Sequence, residues 1–148
     1  MKEAQRLIHM GVKFLTMRRL EDAAGCFEYA LALEQRDLGE PSPRVMSYCG
    51  YTMALARKRL ESGLKMCQKA VEKAFYSADL LCNLGEVYLA CGDRAQAYRA
   101  FSRGRELSPG HSRISLYLLE MGARRPPILS FLPRSHVLNR FLGRTLRG

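Results

Sequence analysis

The side chains that most often carry chemistry are few and scattered in this chain. His9, His111 and His136 lie far apart, and none has a carboxylate or cysteine at a spacing that suggests a catalytic triad. The five cysteines, Cys26, Cys49, Cys67, Cys82 and Cys91, are odd in number, and no two have the short gap of a zinc knuckle or a redox pair. No phosphate-binding loop, paired-histidine zinc motif or dinucleotide fingerprint occurs. The expectation is a protein with no catalytic residue, no cofactor and no metal, which is not an enzyme.

The other chemistry on offer is charge. The chain carries a formal net charge of +10, concentrated in two places. Residues 43–77 hold seven basic and two acidic side chains, and residues 112–148 hold seven and one. Lys65, Lys69 and Lys73 stand at i, i+4 and i+8, which aligns them along one side of a helix. Arg99 and Arg103 occupy related positions further on, so the five cations form a candidate basic surface. An acidic partner suits such a surface. Nucleic acid is disfavoured, because no aromatic residues are interleaved with the cations for base stacking.

These side chains must be positioned by helices. Leu7, Met10, Phe14 and Met17, then Leu20, Ala23, Ala24, Phe27 and Ala30, follow helical and not strand spacing. Ser42-Pro43 reads as an N-cap followed by a first-turn proline, and Asp93 with Gln96 as the start of a capping box. Helices are expected near 3–17, 20–35, 43–57, 60–74, 77–90 and 94–107. Most of the cysteines fall on apolar positions of this pattern, where a thiol behaves as a small hydrophobe. The first residues lack the apolar core expected of a secretory leader, and no apolar stretch approaches about 20 residues. A cytoplasmic location is the corresponding expectation.

The pattern also repeats at about 34 residues. In 78–111 the order is Leu81, Leu84, Gly85, Tyr88, then Ala97, Phe101, Gly104 and Pro109. In 4–37 it is Leu7, Met10, Gly11, Phe14, then Ala23, Phe27 and Ala30. In 43–77 it is Met46, Cys49, Gly50, Met53, then Gly63, Cys67 and Ala70, with one extra residue in the turn around Arg57-Lys58-Arg59. This resembles the tetratricopeptide repeat family at its helix-pair signature. The resemblance implies an all-α fold, a right-handed α-solenoid of three helix-turn-helix pairs over residues 1–122. Ile114, Tyr117, Leu118 and Met121 share one face of a segment 111–122 that lacks the repeat glycine, and it is expected to cap the stack.

The resemblance also implies a function. In the family the first helices of successive pairs line a concave groove that holds a peptide. By register that groove presents Gln5, Ile8, His9 and Val12, then Arg44, Ser47, Tyr48 and Tyr51, then Asp79, Cys82, Asn83 and Glu86. A protein-interaction scaffold or adaptor is the reading, with a protein or peptide partner. Chaperone-binding members clamp a terminal carboxylate with Lys, Asn and Arg, where this chain has Ile8, Val12, Tyr48, Asp79 and Asn83. A ligand ending in an acidic carboxylate motif is therefore disfavoured. Three repeats and a terminal helix also look like the chaperones of type III secretion translocators, although those are acidic and this chain is basic.

Residues 123–148 change character. Pro126, Pro127 and Pro133 forbid a continuous helix, and every charge is an arginine. A short amphipathic helix after Ser135 would set Leu138, Phe141 and Leu142 against Arg140 and Arg144, with Phe131 in the extended arm before it. Folding back onto the scaffold or docking on a partner is favoured over a membrane surface, where so short a helix binds weakly.

Overall fold

A computed structural model describes residues 2–122. The chain divides into two compact units at Leu118 and Leu119. Of the second, only Leu119–Gly122 is described, as the last turn of a helix. The readings made above for the tail, including Phe131, Leu138, Arg140, Phe141, Leu142 and Arg144, lie outside the described residues.

Among the described residues there are seven helices and no strands: α1 (Lys2–Thr16), α2 (Leu20–Leu38), α3 (Pro43–Leu55), α4 (Leu60–Lys73), α5 (Ala78–Ala90), α6 (Arg94–Leu107) and α7 (Ser112–Gly122). They pack most heavily as α1 with α2, α3 with α4 and α5 with α6. Neighbouring pairs are joined by α2 against α3, α4 against α5, and α3 against α5. Local sequence sets the boundaries. The Ser42 hydroxyl accepts from the Val45 amide, with Pro43 in the first turn where its missing N–H costs nothing. Asp93 accepts from the Gln96 amide at 3.0 Å. The second helix runs to Leu38, three residues past expectation, and stops at Gly39 in the left-handed conformation.

The turn within each pair is the same device, with one variation. The Arg19 amide donates to the Phe14 carbonyl and the Asp93 amide to that of Tyr88, each five residues back. In the middle pair the Arg59 amide reaches Met53, six back, so the extra residue is absorbed inside this turn. Each turn passes through the left-handed region, at Arg18, Lys58 and Gly92.

Small residues set the spacing inside each pair. A Cβ on Gly11 would lie 2.7 Å from the Phe27 ring, and one on Gly85 would lie 2.5 Å from Phe101. The middle pair solves the same problem differently. Gly50 and Gly63 face each other, and Cys67 stands where the outer pairs carry phenylalanine. The buried core falls into two clusters, one around Ile8, Phe27 and Cys49 and one through Cys67, Leu81 and Val87, with half-buried Leu15, Leu31 and Met66 packed against both. Beyond α6, Ile114 is fully buried with its Cδ1 over Gly104, and Tyr117 stacks on Phe101 at 4.9 Å. The seventh helix thus covers apolar surface that α5 and α6 would otherwise expose.

Candidate functional site

The residues expected to line a groove sort by register column. Gln5, Arg44 and Asp79, equivalent in the three pairs, are all exposed. Ile8, Ser47 and Cys82, the next column, are all buried. In the remaining two columns the first pair stays accessible, with His9 exposed and Val12 half-buried, whereas Tyr48, Tyr51, Asn83 and Glu86 are buried. The open part of this face is therefore one row of side chains along three helices, with His9 beside it.

The buried members are engaged with one another. Asn83 Nδ2 donates to Ser47 Oγ at 3.1 Å, linking α5 to α3. Tyr48 stacks on Phe27 at 4.9 Å. The Tyr51 hydroxyl donates to Glu86 at 2.9 Å, and the guanidinium of Arg113, from the first turn of α7, pairs with the same carboxylate. Arg113 also reaches Asn83 Oδ1 at 3.4 Å and lies over the Tyr51 ring. Burial, and then the Glu86 charge, push the Tyr51 phenol well above its ordinary range. Burial works against the Arg113 charge, but Cys82, Glu86 and Tyr51 around it hold the proton more firmly than usual.

A second link was illegible in the sequence. His111 Nδ1 accepts from the Ile114 amide, so the ring proton sits on Nε2 and is donated to Asp79 at 3.0 Å. This histidine–carboxylate pair caps α7 through the Ile114 amide. No sequence signal joins residues 32 positions apart. Among the described residues, no group of His, Cys, Asp and Glu could hold a metal, and no helix is long and apolar enough to cross a membrane.

Three of the thiols are sealed in. Burial raises Cys49 to about 11 and Cys67 and Cys82 each to about 12. Cys91 is exposed and Cys26 half-buried. A thiol held neutral by the fold stabilises it below the ordinary thiol pKa, and that contribution is lost as the pH climbs through the raised value. Timed alkylation at pH 8 with mass spectrometry should therefore modify Cys91 first and Cys26 next. Cys49, Cys67 and Cys82 should react only at the rate of unfolding. Prompt modification of Cys67 would contradict its place in the core.

The basic surface is less uniform than its spacing suggests. Lys65 pairs with Glu61 at 2.7 Å, Lys73 pairs with Glu40, and Arg103 lies over the Phe75 ring. Lys69 and Arg99 are exposed and have no ion-pair partner among the described residues.

No protein-family model matches the chain, and no curated protein matches it. Solved structures do. The first TPR domain of Spaghetti (RPAP3), bound to the HSP90 peptide SRMEEVD, aligns with a TM-score of 0.61 at 16% identity, covering 82% of this chain and 91% of that one. The crystal structure of MamA aligns with a TM-score of 0.55 at 19% identity, covering 80% and 68%. This chain has the tetratricopeptide fold, an all-α solenoid of helix pairs.

Proposed function

We propose that the chain is a non-catalytic protein-interaction scaffold that holds a peptide segment of a partner along the first helices of its pairs. The observation that carries this reading is the match over most of both chains to a tetratricopeptide domain solved with a peptide. The row Gln5, Arg44 and Asp79, with His9, supplies the polar contacts that orient such a segment, and half-buried Val12 supplies an apolar one. The peptide differs in chemistry from SRMEEVD. That sequence presents two glutamates and a terminal aspartate, whereas this face holds Asp79 and has Ile8, Val12 and Tyr48 at clamp positions. A ligand ending in such an acidic carboxylate motif is accordingly disfavoured for this chain.

The test uses the full chain with a photo-crosslinking amino acid at position 5, 9 or 44, all exposed sites that tolerate it. Illumination in native extract should give a discrete partner adduct from these positions and none from the exposed Glu106 site on α6. Adducts of equal yield from position 106, or none from the three groove positions, would remove this face as the binding surface.

A further inference from the structure

We infer a second docking site, on the opposite helices of the first two pairs, for an acidic peptide that inserts an apolar side chain. It does not depend on the function proposed above, since none of the residues assigned to that groove lines it.

The site arises from a departure in the repeat. Helix α2 has 19 residues, whereas α4 and α6 have 14 each, so its last turn overshoots the pair. The chain then turns at Gly39 and returns through Pro41 into α3. This overhang closes one end of a cleft of about 510 Å³ between α2 and α4. A volume of that size accommodates one or two side chains of a bound segment. Its floor is apolar, formed by Leu31, Met46 and Met66. Two methionines suit an anchoring side chain of variable shape, because their unbranched thioethers adjust.

The wall along α4 is cationic, carrying Lys65 and Lys69. Glu40 is the one carboxylate lining the cleft, and Lys73 already engages it. The Glu61 partner of Lys65 is a strongly exposed i, i+4 neighbour, an arrangement that solvent screens and that yields readily to a bound carboxylate. Lys69 has no ion-pair partner among the described residues. The cleft therefore pairs an apolar floor with a positive wall, and the complementary ligand has an apolar anchor flanked by Asp or Glu. A polynucleotide would satisfy the wall and leave the floor unused, and no aromatic side chain lines the cleft to stack a base.

The experiment selects a displayed random peptide library on the full chain, then measures the best enriched peptide by fluorescence anisotropy. Enriched sequences should place acidic residues beside Leu, Met or Phe. Charge reversal at two exposed positions, Lys65→Glu with Lys69→Glu, should weaken the peptide about tenfold, and added salt should weaken it as well. Arg44→Glu, on the other face, should leave it unchanged. The inference is overturned by enrichment without acidic residues, by affinity indifferent to the lysine reversals, or by affinity lost in Arg44→Glu. It is also overturned if single-stranded oligo-dT displaces the peptide at lower concentration than unlabelled peptide does. Failure on any of these counts leaves the crosslinking result at positions 5, 9 and 44 unaffected.

Discussion

Gly63→Ala, the addition of one methyl group, is expected to destabilise the fold by about 2–3 kcal/mol. In a solvent-facing helix the same change would be favourable, because alanine is the better helix former. At Gly63, however, the new Cβ would lie 2.5 Å from the Gly50 carbonyl oxygen and 2.8 Å from the Ala54 Cβ and amide nitrogen. These are mostly backbone atoms of α3, so no rotamer change relieves the contact and the two helices must separate. Separation loosens Cys67, Ala70 and Ala54, which are all fully buried. Gly50→Ala should behave alike, since its Cβ would meet the Gly63 carbonyl at 2.7 Å. Gly25→Ala is the control. It lies within α2 with nothing inside 4 Å, and it should gain about 0.5–1 kcal/mol. Urea unfolding followed by helical circular dichroism measures all three. A Gly63→Ala protein as stable as its parent would mean that α3 and α4 do not meet there.

The same residues explain what could be read from the chain. The recurrence of Gly11, Gly50 and Gly85, each with a partner in the following helix, fixes how closely helices pair, and that information is local. So are the Ser42 and Asp93 caps and the extra residue before Leu60. The turn hydrogen bond of the middle pair spans one residue more than in the other two, as the insertion requires. What escaped was exposure within the groove columns. Ser47, Asn83 and Glu86 read as polar and hence as surface. They are buried because they satisfy one another and Arg113 across helices far apart in sequence. Likewise the Lys65 pairing with Glu61 follows from helical spacing, whereas the Lys73 pairing with Glu40 does not. Periodicity reports which face a residue occupies. It does not report how near the next pair comes, and that distance decides whether a polar side chain meets water or a partner.

Glu86 makes that distance measurable. Its side chain is 7% exposed, and its partners are the Tyr51 hydroxyl from α3, Arg113 from α7 and, within α5, the Cys82 thiol at 3.7 Å. Arg113→Met keeps much of the side-chain bulk and leaves the carboxylate buried without its counter-charge. Removing one member of a fully buried pair costs about 3–5 kcal/mol. Arg113 is partly open to water, and water can enter where the guanidinium stood, so the expected loss is smaller, about 2 kcal/mol. The loss should appear chiefly as loosening of α7, because Arg113 and the His111–Asp79 bond are the polar ties that hold its first turn to α5. Hydrogen exchange should accordingly rise first at Ile114–Leu118, while the amides of α3 and α4 stay protected. Combining Arg113→Met with Glu86→Gln removes the stranded charge and retains an acceptor for Tyr51. The double variant should recover more than half of the loss, with a coupling energy well above the few tenths of a kcal/mol expected of independent sites. Additive losses would show that the two side chains do not meet. In that case α7 would be held by its apolar side chains Ile114, Tyr117 and Leu118, and the buried polar residues of α5 would need another explanation.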